Sequence, residues 1–443
     1  MPAHAQTGDT VVMKFGGTSV ADAEQITRAA RRIVEAKERG DHVVAVLSAR
    51  GKTTDELVAM AREVSARPHP RELDMLLSTG ERISCALAAM VINDLGHEAI
   101  SLTGSQAGIV TDATHTKARI LDVRADRIRA ALDEGKVVLV AGFQGVSTSS
   151  SDVTTLGRGG SDTTAVALAA ALDAHVCEIY TDVLGVFSAD PRIVPDARKL
   201  AAVSFEEMLE MASSGAKVIQ LRAVEYARNH GVRIHCRASF DDRPGTFVLT
   251  EEETMEHPIV TAVTHSAVDA RVTLTGVPDR PGIAGRVLTA LAAAQVNVDM
   301  IIQNEPASAD RSADMSFTVP RDDLPAAGDA LAPLAAELGI GGVETDQEMA
   351  KVSLVGAGMK TNPGVAAKAF TVLGDAGVNI EMIATSPIKI SCVIREQDLE
   401  RAVRDLHAAF ELGEGAVRSE DPRGDHRPVV EPEPASAPKR ERS

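Results

Sequence analysis

Tryptophan is missing from this 443-residue chain, and aromatic residues make up only 2% of it. Its cores must therefore be built from Val, Leu, Ile and Ala, which keep the hydrophobic fraction at an ordinary 44%. Cysteine is also scarce, because Cys85, Cys177, Cys236 and Cys392 are scattered and show neither CxxC nor Cys/His spacing. We expect four buried free thiols, no disulfide and no metal ligand.

The chain also lacks an excess of positive charge and any long apolar run. Its formal net charge of -17 argues against a nucleic-acid or anionic-membrane partner, although a local loop can still bind an anion. No run approaches transmembrane length, and the first ten residues, MPAHAQTGDT, show no signal-peptide pattern. We expect a cytoplasmic protein of two or three domains, with no nucleic-acid or membrane partner.

Short apolar segments alternate with helical patterns between residues 10 and 250. The predicted strands are Thr10–Phe15, His42–Ser48, Glu98–Leu102, Val137–Phe143, Val176–Thr181 and Val232–His235. The predicted helices are Ala23–Glu38, Asp55–Arg67, Arg82–Leu95, Asp122–Glu134 and Thr164–Leu172. This alternation predicts a largely parallel sheet covered on both faces, with ligands at the carboxyl ends of its strands.

An internal repeat follows a charged linker at residues 250–258. Each copy has a strand, a Pro-Gly pair, a helical stretch and a Val-Asn segment predicted as a strand. The first copy contains Val272–Gly276, Pro281-Gly282 and Val296–Ile301, and the second contains Val352–Gly356, Pro363-Gly364 and Val378–Ile383. In both, the Val stands fifteen positions after the Pro, which indicates paired α+β modules. The charged, Pro-rich tail from about Val417 is predicted to be disordered.

The most informative segment is Thr155–Leu172, TLGRGGSDTTAVALAAAL. It puts Arg158, three glycines, Ser161 and Asp162 directly before a helical run. Glycines let backbone N–H groups approach a ligand, and a helix N-terminus adds positive potential, so this loop can bind a phosphate or a carboxylate. The alternative is a Gly-rich turn capped by Ser161.

Other loops carry similar chemistry. Lys14, followed by Gly16, Gly17, Thr18 and Ser19, suits a polyphosphate, although it is not a Walker A sequence. The alternative is a strand-to-helix turn with Thr18 or Ser19 as the N-cap.

A second loop, residues 181–192, offers carboxylates, Arg192 and the ring of Phe187 for a nucleotide, or is a solvated polar loop. Lys217 is a further cation or a surface charge. Glu81 could pair with an amine or complement a helix dipole, and Ser48 and Thr54 could contact substrate or cap helices.

Together these motifs resemble the aspartate kinases of the amino-acid kinase superfamily. The motifs are KFGGTS at 14–19, TGERIS at 79–84, LGRGGSDTTA at 156–165, TDVLGVFSADPRI at 181–193 and GAKV at 215–218. The repeat at 268–410 resembles that family's tandem ACT domains, and the resemblance covers about residues 10 to 412. It implies an α/β fold: an amino-acid-kinase-like αβα sandwich with a mainly parallel sheet, followed by two α+β, ferredoxin-like ACT domains.

The predicted domain boundaries follow from this resemblance. They are a flexible N-terminus at 1–9, a catalytic domain at 10–249, a linker at 250–263, ACT domains at 264–345 and 346–416, and a tail at 417–443.

The resemblance implies transfer of the γ-phosphoryl group of ATP, bound as its Mg²⁺ complex, to the β-carboxylate of L-aspartate. Lys14 and Asp162 are the implied catalytic residues. The residues implied to bind aspartate are Ser48, Thr54, Glu81, Arg158 and Ser161. Those implied to line the ATP site are Lys14, Gly16, Gly17, Thr181, Asp182, Phe187, Arg192, Lys217 and Val218. Two positions depart from the family: Phe187 replaces a common Tyr, and Leu184 a common Asp.

The ACT pair implies feedback control by lysine, threonine or both. The implied effector-binding residues are Asp279, Ile283, Ala284, Asn297, Asp299 and Gln303 in the first copy and Asn379, Ile380 and Ser386 in the second. For the apolar members, plain packing is the alternative. Pro387 stands where Glu is usual and removes a backbone donor, so control could be lost or retuned.

ACT units commonly pair between chains, which implies a homo-oligomer, and Met255 would suit the start of a short subunit made from the same gene. Two other functions compete with a regulated aspartate kinase. One is an amino-acid sensor with an inactive kinase domain, which the retention of Lys14, Arg158, Ser161 and Asp162 disfavours. The other is a sister kinase of another acid, which the ACT pair disfavours.

Overall fold

The computed structural model describes residues 8–254, 258–303 and 312–413. Met255 and the predicted disordered tail lie outside the described residues. The strands are β1 Thr10–Phe15, β2 His42–Leu47, β3 Ala99–Leu102, β4 Ile109–Thr111, β5 Ile120–Val123, β6 Val137–Ala141, β7 Gln144–Ser147, β8 Val153–Thr155, β9 Val176–Thr181, β10 Ala202–Ser204, β11 Ile234–Ala238, β12 Thr246–Leu249, β13 Ala262–Ser266, β14 Asp269–Pro278, β15 Ile301–Gln303, β16 Ser312–Pro320, β17 Gly342–Asp346, β18 Met349–Val355, β19 Met382–Ser386 and β20 Lys389–Arg395. The helices are α1 Ala23–Glu38, α2 Thr53–Val64, α3 Pro70–Leu77, α4 Thr79–Asp94, α5 Asp126–Asp133, α6 Gly160–Ala171, α7 Phe205–Ser213, α8 Leu221–His230, α9 Ile283–Ala293, α10 Leu324–Leu338, α11 Val365–Asp375 and α12 Leu399–Ala409.

An eight-stranded sheet, in the order β10-β12-β11-β9-β1-β2-β6-β3, forms the middle of the N-terminal unit. Its pairings are parallel except for β11 with β12. Alternate residues of each strand face opposite sides, so Val12 and Val44 join one core while Met13 and Ala45 join the other. Helices α1 and α4 cover one face, and α5, α6 and α8 cover the other. The predicted αβα sandwich is confirmed.

A second, small sheet in this unit has the order β5-β4-β7-β8 and was not predicted. It corrects one element, because Asp122–Glu134 is not one helix. Strand β5 ends at Val123, and α5 begins only at Asp126. A further correction concerns the start of α1, whose N-cap is Asp22, accepting the N–H of Gln25 at 2.9 Å, rather than Thr18 or Ser19.

The C-terminal repeat forms two small antiparallel sheets, in the orders β15-β16-β14-β17 and β13-β18-β20-β19. We call the first sheet with α9 and α10 the first repeat unit, and the second sheet with α11 and α12 the second repeat unit. The Val-Asn segments are not strands as predicted, since β15 begins at Ile301 and β19 at Met382. Strand β13 precedes both copies in the chain but pairs with β18 of the second.

The second repeat unit also packs on the N-terminal unit. Ala189, Val194 and Ala197, from the loop after β9, share a buried cluster with α11, α12 and β18. Ser188 is fully buried there, and its hydroxyl contacts His407 Nε2 and the carbonyl of Leu412, both at 3.0 Å. The loop after β9, which the sequence predicts to contact a nucleotide, therefore lies between the N-terminal unit and the second repeat unit.

All four cysteines are buried and free, as predicted. In the described part of the chain, one helical stretch, residues 70–94, passes a length and composition test for a membrane span. Half of its most apolar window is buried within the fold, as in a core helix.

Candidate active site

Lys14 and Asp162 form an ion pair at the carboxyl edge of the main sheet. Lys14 lies near the end of β1 and Asp162 in the first turn of α6, and Nζ and Oδ1 are 2.6 Å apart. Their side chains are only 12% and 10% exposed. The other carboxylate oxygen of Asp162 accepts the N–H of Gln220 at 3.2 Å. Asp162 thus fixes the position of the Lys14 ammonium group, while the catalytic roles of both stay a prediction.

The glycine loop before α6 needs its glycines. Gly159 is the N-cap residue, with φ of 73°, and a Cβ there would lie 2.6 Å from Cγ of Gln220. Ser161 lies inside the first helical turn, so the alternative of a turn capped by Ser161 is wrong. Gly142, the residue after β6, packs against Ser161: a Cβ on Gly142 would lie only 2.8 Å from the Ser161 hydroxyl oxygen.

The loops after β1 and β2 contact each other through their backbones. Gly51 donates its N–H to the carbonyl of Gly17 at 2.9 Å, and a Cβ on Gly17 would lie 2.9 Å from the carbonyl oxygen of Ala49. The neighbouring N–H of Gly16 donates to the carbonyl of Tyr180 at 3.2 Å. The N–H of Gly16, which was predicted to donate to a phosphate, therefore already donates to the neighbouring strand.

Glu81 lies in the first turn of α4, but it is only 3% exposed and is not a surface dipole partner. Its Oε1 accepts the N–H of Ala49 at 3.3 Å, and Oε2 is buried without a hydrogen-bond partner. Burial raises the pKa of Glu81 to about 7, against the lowering effects of the backbone N–H bonds and Arg82. An unsatisfied buried carboxylate oxygen beside the strand end suits an ammonium group. Ser48, which precedes Ala49, is half-buried.

Arg158 is the exposed member of the predicted aspartate site. Its side chain is 96% exposed, and its guanidinium lies 3.7 Å from Asp55. Asp55 follows Thr54 in the first turn of α2, so the structure brings Thr54 near the glycine loop. The Arg158 guanidinium thus lies on the exposed side of the site, where it pairs with Asp55.

The predicted nucleotide residues occupy two loops that reach the second repeat unit. Thr181 ends β9 and donates its hydroxyl to Asp182 at 3.1 Å. Phe187 is half-buried and packs against the hydrophobic cluster shared with that unit, so its ring contacts protein. Lys217 is exposed in the loop before α8, with Val218 half-buried beside it.

Arg192 is exposed too, and it pairs with Asp190 at 2.6 Å. Both Arg192 and Lys217 lie near His265 on β13. Burial lowers the pKa of His265, and the charges of these two cations lower it further, while Asp190 raises it. Two cations of the predicted nucleotide site therefore converge next to a strand of the second repeat unit.

The predicted effector residues differ in their burial, and some of them contact other parts of the chain. Asp279, Asn297, Gln303 and Asn379 are exposed, whereas Ile283 packs in the first repeat unit's core, with Ala284 against it, and Ile380 packs against the second's. Asp299 is paired with Lys351 of β18, and Ser386 donates its hydroxyl to Glu210 of α7 at 3.0 Å. Two polar members of the set thus already bind other parts of the chain.

Several residues around the site were not predicted. Asp74 is fully buried on α3, and Arg222 donates to the carbonyls of Leu156 and Ala118 at 2.7 and 3.1 Å. For Asp74, one feature of the sequence indicated burial, because it is the single acid within the otherwise apolar segment 73–77. No group of three or more His, Cys, Asp and Glu side chains that could hold a metal occurs within residues 8–254, 258–303 and 312–413.

Comparisons with known proteins agree with this geometry. The amino acid kinase family model matches residues 9–238, and two ACT domain models match residues 271–336 and 352–410. The aspartokinase of Mycolicibacterium smegmatis is 58% identical over 91% of this chain and 96% of its own length. Aspartokinase III of E. coli in complex with aspartate and ADP, in the R-state, is 27% identical and superposes with a TM-score of 0.77 over 90% of this chain and 99% of its own. Its T-state complex with lysine and aspartate gives 0.70 at the same identity, over 90% and 99%.

Fold and site therefore define a kinase of the amino acid kinase class that carries two ACT domains. At this identity and coverage, the chain belongs to the aspartokinase family.

Proposed function

We propose that the enzyme transfers the γ-phosphoryl group of ATP to the β-carboxylate of L-aspartate, giving 4-phospho-L-aspartate and ADP. A carboxylate oxygen forms the new bond to phosphorus as the bond to the bridging oxygen of ADP breaks, and no proton has to move. A carboxylate is ionised at neutral pH, so no general base is needed. The observation that carries the proposal is the Lys14–Asp162 pair at the strand edge, beside the unsatisfied oxygen of Glu81.

The main obstacle to this reaction is repulsion between two anions. Lys14 bridges the phosphates and stabilises the charge that develops on the transferred group. Asp162 holds the ammonium in place before substrates arrive, so little reorganisation is needed during transfer. Magnesium would enter with ATP as the substrate complex and would need few protein ligands, because this ion usually keeps phosphate oxygens and water as its ligands.

Aspartate is recognised by its charges at both ends. The Arg158 guanidinium takes a carboxylate through its fork of donors, and its 96% exposure leaves it able to turn toward a ligand. Glu81 takes the ammonium group with its unsatisfied Oε2. Ser48, Thr54 and Ser161 supply hydroxyl contacts. Gly16, Gly17, Thr181, Asp182, Phe187, Arg192, Lys217 and Val218 line the nucleotide side.

We further propose that the product enters lysine, threonine and methionine synthesis and that lysine, threonine or both inhibit the enzyme through the ACT domains. The T-state complex of the E. coli relative with lysine and aspartate supports control by an amino acid effector. An effector that uses Asp299 has to compete with Lys351, which now occupies its carboxylate. Pro387 lies between Ser386 and the start of β20, next to the contact with Glu210. We therefore propose that Pro387 either retunes control by the effector or removes it.

The proposal includes a cytoplasmic homo-oligomer assembled through the ACT domains. A short subunit starting near Met255 is part of it. Mass spectrometry of natively expressed protein tests that part, and finding only full-length chains would remove it.

The first experiment measures ADP release from Mg-ATP with L-aspartate, then with L-glutamate, and then with lysine and threonine added separately and together. Activity on aspartate alone is expected, with inhibition by at least one effector. No ADP release from folded, ATP-binding protein would favour an amino-acid sensor, and activity on another acid would favour a sister kinase.

A further inference from the structure

Asp74 lies outside the predicted site and is completely buried, at 0% exposure. It is on α3, five residues before Thr79 begins α4, the helix that carries Glu81. A buried carboxylate is expensive unless hydrogen bonds satisfy its oxygens. The groups that satisfy Asp74 therefore indicate what it does for the molecule.

Three hydrogen-bonding groups from two other segments contact the carboxyl group of Asp74. His115 Nδ1 is 2.7 Å from Oδ2, and the N–H of Thr116 is 3.1 Å from both oxygens. The hydroxyl of Thr155, the last residue of β8, donates to Oδ1 at 2.5 Å. The backbone N–H of Thr116 can only donate, so the Asp74 carboxyl group accepts from it.

Thr155 begins the stretch that contains Arg158, and the same segments support the rest of that stretch. The carbonyl of Thr155 accepts the N–H of Ala118 at 2.9 Å. Gly157 packs closely on the same segment: a Cβ on Gly157 would lie only 3.1 Å from the carbonyl oxygen of Thr116. Asp74 thus fixes both Thr155 itself and the segment 115–118 on which the glycine loop rests.

We infer that Asp74 is a positioning residue that sets the affinity for aspartate by holding the Arg158 loop. It is too deeply buried to touch substrate, so it acts through Thr155 and the loop. This inference rests on the proposed aspartate site. The loop has to be placed accurately, because small displacements of binding groups reduce catalysis strongly.

Asp74→Asn keeps the shape of the side chain but points an NH₂ group at one of the donors. We expect the KM for aspartate to rise about tenfold while the KM for ATP changes less than about twofold. An unchanged KM for aspartate in a folded variant would overturn the inference. Equal rises of both KM values would also overturn it, since they indicate general loosening.

Thr155→Val and Thr154→Val form a matched pair for the case in which Asp74→Asn does not fold. Both delete a short buried hydroxyl bond in the same strand, but Thr154 pairs with Thr111 at 2.6 Å, away from Asp74. We expect Thr155→Val to raise the KM for aspartate and Thr154→Val to leave it near wild type. The same rise in both variants would contradict the role of Asp74.

A double-mutant cycle with Arg158→Ala separates this inference from the proposed function. If Asp74 acts through Arg158, the double variant should be no worse on aspartate than Arg158→Ala alone. Additive losses would show that Asp74 does not act through Arg158. If Arg158→Ala alone leaves the KM for aspartate unchanged, the assignment of Arg158 fails, whereas the role of Asp74 is still decided by Asp74→Asn.

Discussion

At the residue scale, Lys14 is the group with the clearest chemical task. Its ammonium is almost buried, and Asp162 is the carboxylate that pairs with it. We expect Lys14→Ala to lower kcat by at least about 100-fold, because a positioned positive charge stabilises the transferring group. Steady-state kinetics with both substrates measures this, and Lys136→Ala, which removes a cation paired with Glu134 at a remote turn, is the control. A kcat close to wild type would exclude a transition-state role for Lys14.

The proposed role of Glu81 predicts an activity that depends on pH. Burial raises its pKa to about 7, so above pH 7 its ionised form can bind the ammonium group of aspartate. We expect kcat/KM for aspartate to rise with pH through about 7 and to level off only about one pH unit higher, because Glu81 is half ionised at its pKa, and we expect Glu81→Gln to abolish that rise. Glu178→Gln is the matched control. Burial alone would raise the pKa of Glu178, but the nearby His235, the hydrogen bond from Tyr180 and the charge of Arg237 lower that pKa to about 2. A pH rise that persists in Glu81→Gln would mean that another group titrates.

The same group affects stability with the opposite sign. Between pH 4.5 and 7 the folded protein keeps a proton on Glu81 that the unfolded chain has lost, so this residue's contribution to the free energy of unfolding falls as the pH rises. At pH 8 we expect Glu81→Gln to be more stable than wild type by up to about 3 kcal/mol. Denaturant unfolding at pH 8 and at pH 4 measures the difference, which should vanish at the lower pH.

Sequence patterns were sufficient to predict the loops with candidate site residues but not the buried residues that hold those loops in place. Lys14, Arg158 and Glu81 were predicted because their motifs carry charge beside glycines or at a helix start. Asp74 was not, since its role depends on contacts with Thr155 and His115, 81 and 41 positions away. Burial of an acid becomes visible only when the chain is folded.

At the element scale, buried strands were the easiest to predict. β1 and β9 match their predicted bounds, because short, mainly apolar segments rich in β-branched and aromatic residues mark strands of a covered sheet. The short strands β4, β7 and β8 were missed, since three or four residues give no clear period. In the repeat, the Val-Asn segments precede the strands because Val296 and Val378 fill the cores before the chain reaches the sheets.

The contact between the β9 loop and α12 depends on Ser188. Its hydroxyl contacts His407 and Leu412 and accepts the N–H of Arg198 at 2.9 Å. Ser188→Ala leaves these buried groups without a hydrogen bond, which lowers the stability of this contact by about 2 kcal/mol. We expect amide hydrogens of α12 to exchange roughly 30-fold faster, as measured by hydrogen exchange with mass spectrometry. Ser213→Ala, which removes an exposed hydroxyl on α7, should leave that exchange unchanged, and an unchanged rate in Ser188→Ala would contradict this account.

At the scale of the whole molecule, polar contacts join the three units. Arg271 of the first repeat unit pairs with Glu381 of the second at 2.7 Å, and Arg395 also pairs with Glu381 at 2.6 Å. Lys389 of the second pairs with Glu210 of α7 at 2.7 Å. A change in the repeat units can therefore reach α7 and the following loop with Lys217 through direct contacts.

The proposed oligomer has a specific place to form. β15 and β19 are edge strands of their sheets, and each exposes an isoleucine at the same repeat position: Ile301 at 46% and Ile383 at 42%. Unprotected apolar edges favour pairing with another chain, whereas a lysine on an edge strand opposes it.

We therefore expect Ile301→Lys with Ile383→Lys to lower the mass measured by light scattering from that of an oligomer toward that of one chain. Val64→Lys changes an 85% exposed apolar residue of α2 and should leave the mass unchanged. If the double variant keeps the wild-type mass, the chains associate through a different surface. If it becomes monomeric and also loses inhibition by lysine or threonine while retaining ADP release, the effector site requires the paired ACT sheets.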